Sequence, residues 1–228
     1  MTAEALADWA GERIVVDNAG VSPIGGVAIS TDTGTKRIEV VARLLAIADT
    51  QDKRSADRAI DEAKKGYQDI TTAGGVTTVD CGHPPATGSV ASAEAGCDAL
   101  DVSLPAGTEQ SPLQLSVRSG QGNVRAELDR ASFIGSFELR GSLGAIDVTV
   151  PSNRAAVITV IAESGDPVIL RLPPAFAADL VALETAPGNI DVVAFPDVAS
   201  GKGRGAAGQG AKSITVRTTG RITLVRDE

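Results

Sequence analysis

The segment GAAGQGAKS, residues 205–213, carries the glycines and the Lys-Ser ending from which a phosphate cradle could be built. A P-loop places Gly next to Lys and opens a helix, so that backbone N–H groups and the Lys ammonium converge on the phosphates. Here Ala211 separates Gly210 from Lys212, and SITV, which follows, reads as a strand. The segment is therefore expected to be a surface loop without nucleotide. Lys202, Arg204 and Lys212 make it locally basic, which would suit contact with an anion or polymer.

Paired carboxylates are the next chemistry to consider, because two acids at about 5 or about 6.5–9.5 Å can hydrolyse a glycosidic bond. Glu138, Asp147, Glu163, Glu184 and Asp191 fall on predicted strands or their corners. No cluster of His, Tyr or Trp accompanies them to perturb a pKa or to stack a sugar, so they read as solubilising side chains. Calcium would need six to eight oxygens, and TDTGTK (31–36) and AESGDP (162–167) offer one or two acids each. His83 is the single imidazole and lies between Cys81 and two prolines, which argues against a nucleophile triad. The expectation is a protein with no catalytic residues, no cofactor and no metal.

Cys81 and Cys97 are the only cysteines, and CGHPPATGSVASAEAGC has little apolar material to hold its shape. Their spacing matches no zinc pattern, and one His with two Cys does not complete a tetrahedral site. A disulfide is expected instead, worth about 3 kcal/mol in the chain-entropy model for a loop of this size, and it points to an oxidising compartment. A formal charge of −8 disfavours nucleic acid. No apolar run approaches the roughly 20 residues of a bilayer span. We therefore expect an exported protein of the periplasm, cell envelope or extracellular space, with any signal peptide outside this sequence.

The elements that carry these residues are mostly strands. Composition is 43% hydrophobic but 3% aromatic, and so rich in Ala, Val, Ile and Leu that stacked strands suit it better than a ring-lined pocket. Thr2 to Glu12 reads as a short helix or a frayed N-terminal segment. Alternation then predicts strands at Ile14/Val16, Val27/Ile29 and Ile38/Val40, and Ala56, Ile60, Ala63 and Tyr67 predict an amphipathic helix near 53–66. From residue 100 onward Val102, Val124, Ile146, Val168 and Ile190 recur every 22 residues, and Ile222 follows after an insertion near 200–212. Seven and nine residues before an index stand Val117/Leu115, Leu139/Phe137, Ile161/Thr159 and Leu183/Val181, while Ile214/Val216 is slipped by one. Each repeat is thus two strands joined at a corner. Gly122, Gly144, Gly188 and Gly220 lie two before the index residue, where the chain must turn sharply. A period in the twenties is that of a solenoid, whose coils bury their apolar faces on one another. The expected fold is mainly β: one β-solenoid domain, 13–228, of about 22-residue coils with a single interposed helix and the six index residues in a structural ladder.

LDVSLPAGTEQSPLQLSVRSGQGNVRAEL, followed by FELRGSLGAIDVTV and LVALETAPGNIDVVAF, resembles the bacterial putative-adhesin family with β-strand repeats, a domain of unknown function. The resemblance spans roughly Arg13 to Val225. It implies a β-solenoid-like fold in an exported or envelope protein, and supplies no catalytic residues. The function expected is therefore structural or adhesin-like, with a cell-surface protein or a glycan as partner. The alternative is a scaffold or filament subunit that polymerises through the solenoid ends, and the charged ending LVRDE favours a monomer over that filament. A glycan-active enzyme ranks third.

Overall fold

A computed structural model describes residues 2–18, 25–48, 54, 57, 58, 61, 70–81, 93–150, 154–173, 176, 178–185, 189–193, 204–207 and 212–226. The N-terminal part contributes β1 (Thr2–Asp8), β2 (Arg13–Asn18), β3 (Gly26–Asp32) and β4 (Arg37–Ala48). β5 (Ile70–Ala73), β6 (Val76–Cys81) and the long β7 (Ala93–Pro105) follow. The regular array supplies β8 (Leu113–Ser119), β9 (Asn123–Glu127), β10 (Ile134–Gly141), β11 (Ile146–Thr149), β12 (Ala155–Ala162) and β13 (Val168–Leu172). Then come β14 (Ala178–Glu184), β15 (Ile190–Val193), β16 (Arg204–Ala207), β17 (Ser213–Arg217) and β18 (Ile222–Arg226).

These strands form two mixed, open sheets of nine strands. Sheet A runs β1-β4-β7-β3-β9-β11-β13-β18-β15, and sheet B runs β16-β14-β17-β12-β10-β8-β2-β6-β5. From β6 to β15, successive strands alternate between the sheets, and β8–β10–β12 in one sheet and β9–β11–β13 in the other pair in parallel. Alternation along most of the described strands turns one set of side chains into a core shared by both sheets and the other set to solvent. The core is almost wholly aliphatic, and full burial of each such side chain stabilises by about 1.5–3 kcal/mol before the entropy of ordering is charged against it.

The order of strand pairs in the sheets is not the order of the chain. The β2–β3 pair sits between β6–β7 and β8–β9, and the β17–β18 pair sits between β12–β13 and β14–β15. The central column of sheet A is consequently Leu100, Val27, Val124, Ile146, Val168, Ile222 and Ile190, all buried. Val124, Ile146 and Val168 are neighbours as their spacing implies, but Ile222 separates Val168 from Ile190. Val102 lies two residues off this column, in register with Ile29, because β3 rather than β9 is its neighbour on that side. In sheet B the corresponding column is Ile14, Leu115, Phe137, Ile158, Ile214 and Val181. Ile158 and Val160 point inward and Thr159 and Ile161 face out, one residue away from the sequence expectation. The corner ESGDP is one residue longer than its glycine counterparts, and a slip of one exchanges the faces of a strand.

Two expectations change, and a third falls largely on residues outside the described ones. Thr2–Asp8 is not a helix but a strand, antiparallel to β4, with Ala3 and Ala5 packed on the core. Edge pairing outweighs the modest helix propensity of its alanines, since a helix this short is marginal alone. Antiparallel pairs β4–β7, β5–β6 and β14–β16 interrupt the expected parallel stacking. The helix expected near 53–66 falls largely outside the described residues; Arg54, Asp57, Arg58 and Asp61 have helical backbone, and no helix is defined among the described residues.

The corners stack as the strands do, and this is what glycine permits. Gly122 and Gly144 have φ of 84° and 115°, and a Cβ on Gly144 would sit 2.3 Å from the Gly122 carbonyl oxygen. Gly220 has no positive φ, but a Cβ there would lie 2.3 Å from the Gly165 carbonyl oxygen. Gly188 lies outside the described residues. Where Asp166 replaces the glycine, its carboxylate accepts hydrogen bonds from the Gly144 N–H at 2.8 Å and the Ser164 hydroxyl at 2.6 Å. These bonds, the Ser164 one foremost, hold the carboxyl below its ordinary pKa. Asn123 does the same service by accepting from the Ala145 N–H at 3.0 Å.

Candidate binding surface

The outer face of sheet A is shaped by which side chains the strand order brings side by side. Across β4, β7, β3 and β9 one outward row reads Val41, Asp101, Ala28 and Arg125, and the next reads Glu39, Ser103, Ser30 and Glu127. The short side chains of Ala28, Ser30 and Ser103 leave an open trough of about 330 Å³ between taller walls. Ile29 and Val102 line its floor through the backbone side of the core strands. On β4 and the edge strand β1 this face is mixed, with Leu6, Val41 and Leu45 exposed beside Glu4 and Asp8.

Charge is unevenly matched along this face. Glu127 accepts from Arg125, Asp147 from Arg171, and Asp191 from Arg221 at 3.0 Å. Glu4, Glu39 and Asp101 form no ion pair among the described residues. Exposed pairs contribute at most about 1 kcal/mol each to stability, so their value here is to neutralise part of the face and leave the trough with an acidic excess. Its groups can accept hydrogen bonds from hydroxyls or pair with cations.

The five acids singled out from the sequence are not brought together. Glu138 and Glu184 are on the outer face of sheet B, paired with Arg140 at 2.9 Å and Arg217 at 2.7 Å. Glu163 accepts from the Ser142 hydroxyl at a corner, 2.8 Å away, and Asp147 and Asp191 are on sheet A. The acids of the two calcium candidates are engaged in backbone and hydroxyl hydrogen bonds: Asp32 accepts from the Gly34 N–H of its own turn at 2.7 Å, while Glu163 and Asp166 reach the adjacent corner as above. No group of three or more metal-ligating residues occurs among the described residues. His83 and Lys202 lie outside them. Lys212 stands over the Phe176 ring at 4.9 Å, and burial lowers its pKa. The backbone of Arg204 is in β16, at the edge of sheet B.

Cys81 and Cys97 are joined in a disulfide with Cα atoms 5.7 Å apart, both 1% exposed. The bond links β6 of sheet B to β7 of sheet A. Next to it, Asp98 is the extra residue of a β-bulge, with its carboxylate accepting from Arg43 at 2.6 Å.

On sheet B, Asp17 and Asp80 are directly paired across β2 and β6. Burial first, and then the Asp80 charge, raise the Asp17 pKa above its ordinary 3.8, with Arg118 opposing. Folding thus favours the protonated acid, so stability is full below pH 3.8 and declines as pH rises through the raised folded-state value. Asp17→Asn is accordingly expected to raise Tm at pH 7, by on the order of one or two degrees, and to have no such benefit below pH 3.8. Thermal unfolding of both proteins across that range is the measurement; an equal shift at every pH would remove the electrostatic cause.

The trough residues were not legible beforehand. Ala28, Glu39 and Asp101 come from three distant stretches, and the one available signal was a small residue at an outward strand position. Fold and face together define a mixed β-protein of stacked strand pairs with a partly unneutralised outer surface. No protein-family model matches the chain, and no curated relative matches it. A putative cell adhesion protein from Clostridium sporogenes is similar in structure, with a TM-score of 0.60, 12% identity and 100% of both chains covered. A putative adhesin from Bacteroides fragilis aligns over 100% of this chain and 97% of its own, with 10% identity and a TM-score of 0.30. The first likeness is one of fold.

Proposed function

We propose that the protein is a non-enzymatic, exported or envelope-associated β-solenoid that presents the outer face of sheet A to a cell-surface protein or glycan. The observation that carries the reading is the trough over Ala28, Ser30 and Ser103, flanked by Glu39 and Asp101, which form no ion pair among the described residues. A rigid strand stack holds these groups at fixed spacing, so little ordering entropy opposes binding. The disulfide fits an oxidising compartment. The in-register parallel columns support the solenoid description, and the fold likeness to the Clostridium protein is in keeping with adhesion.

Ser30→Trp fills the trough from an outward position and is expected to change stability by no more than about 0.5 kcal/mol. Binding to immobilised envelope fractions or a glycan array should fall at least about tenfold, the equivalent of 1.4 kcal/mol. Undiminished binding by a folded Ser30→Trp protein would remove the trough from the contact surface.

A second reading is self-assembly through the ends. The two sheets are open, and among the described residues β1, β15, β16 and β5 are edges that pair on one side; unpaired edges are templates for another chain. Light scattering across a concentration series separates this from a monomeric binder.

A further inference from the structure

Among the described residues the edge strand β1 is held by β4 alone, in a pairing that runs without interruption over all seven residues, from Thr2 with Arg43 to Asp8 with Arg37. The Trp9 N–H donates to the Lys36 carbonyl at 2.9 Å, one step beyond Asp8 and Arg37, so Trp9 and Lys36 form a hydrogen-bonded pair. Such pairs alternate along an antiparallel ladder. Ala3, Ala5 and Ala7 therefore make the bonds to β4, and the N–H and C=O of Thr2, Glu4, Leu6 and Asp8 point to the open side. The side chains of those four residues face away from the core, and Leu6 is 63% exposed. The other edges are blunted: β5, β15 and β16 have four residues each, and β16 pairs irregularly with β14. β1 is longer and regular, without proline or lysine.

We propose that β1 pairs antiparallel with β1 of a second copy of this chain, closing a two-fold dimer about Ala5. This rests on the second reading above, assembly through open edges, and commits it to one edge and one partner. Three constraints select the same register. The open backbone groups belong to even-numbered residues, so even must face even. A shift that sets Glu4 opposite Glu4, or Glu4 opposite Asp8, puts like charges face to face, which is destabilising; larger shifts leave more than half of the strand unpaired. With Ala5 on the axis, Glu4 faces Leu6, Thr2 faces Asp8, every residue of β1 is paired and no acid faces an acid. Leu6 is then diagonal to Leu6 of the second copy, as it is to Val41 within its own sheet, and diagonal neighbours are within reach of long side chains. An apolar zigzag of Val41, Leu6, Leu6 and Val41 crosses the seam and covers side chains that the monomer exposes. Glu4 is likewise diagonal to Glu4 of the second copy, a repulsion that salt screens. The two A sheets become one, with both troughs on the same face, about 30 Å apart at about 4.8 Å per strand. Two linked sites gain avidity on a repetitive surface.

Light scattering across a concentration series should climb from monomer to dimer mass and stop there. Leu6→Pro removes an N–H that β4 does not use, so β1 keeps its place in the monomer while each copy loses a bond across the seam; the dissociation constant should rise at least about tenfold. Ala5→Cys, on the axis, should oxidise to a dimer linked from position 5 to position 5, the native Cys81–Cys97 bond being buried. Asp8→Cys is the control: its copies are about 20 Å apart at about 3.4 Å per residue and should not link. Monomer at every concentration with no link at position 5 overturns the pairing and the self-assembly reading together. Association that Leu6→Pro leaves unchanged, again without that link, overturns the β1 seam alone and assigns assembly to another edge. Growth beyond dimer mass overturns the closed two-fold. The link at position 5 decides by itself if Leu6→Pro does not fold.

Discussion

Phe137→Ala is expected to lower the free energy of unfolding by about 3–5 kcal/mol, the range for a large side chain removed from a packed core. Phe137 is 1% exposed and sits in the middle of sheet B, between Leu115 of β8 and Ile158 of β12. Both flanking strands are held by backbone hydrogen bonds on either side, so the sheet cannot close over the space a phenyl ring leaves. That rigidity is why the cost should be near the top of the range. In a chain of this length each kcal/mol moves Tm by about 2–4 °C, and urea denaturation gives the free energy directly. Val157→Ala, on the outer face of the adjacent strand where Val157 is 39% exposed, serves as the control and should change stability by no more than about 0.5 kcal/mol. A loss below about 1 kcal/mol for Phe137→Ala would contradict the sheet B column and the register built on it.

Removing the disulfide, as Cys81→Ser with Cys97→Ser, should cost about 3 kcal/mol. The effect is expected to be local as well as global. The bond ties β6 to β7 across the core, and the inserted β2–β3 coil pairs with both of those strands. Hydrogen exchange should therefore accelerate first in β2, β3 and β6, while β10 to β13 keep their protection. Buried sulfurs also predict that the native protein resists reduction until it unfolds. A thiol assay on unfolded, unreduced protein should find no free thiol; two free thiols would refute the bond. Uniform acceleration of exchange across both sheets would refute its local role.

The alternation of apolar residues and the 22-residue recurrence were enough to place most strands and the inward faces of β8 to β11, β13 and β15. Val124, Ile146 and Val168 share one column because a coil cannot bury its own apolar face and so takes its nearest equivalent as neighbour. Gly122, Gly144 and Gly220 were legible for the same reason, as successive backbones approach too closely there for a Cβ. Pattern alone failed where a one-residue change has no effect on composition. The longer corner at ESGDP turned Ile158 and Val160 inward in place of Thr159 and Ile161, and only pairing with β10 reveals that slip. Thr2–Asp8 misled because alanines are as acceptable on an edge strand as in a helix; the partner strand β4 decides.

Sequence by itself established a mainly β chain, the aliphatic core that unites its strands, and a single cysteine pair in a glycine- and proline-rich span. Each of these follows from side-chain chemistry and local periodicity, which act within a repeat. The tertiary structure alone decided that the β2–β3 and β17–β18 coils are inserted out of chain order, and with that which residues meet on the outer face of sheet A. Every coil offers nearly the same apolar ladder to its neighbours, so the local pattern is indifferent to their order; connection lengths and the pairing of whole sheets choose among the permutations.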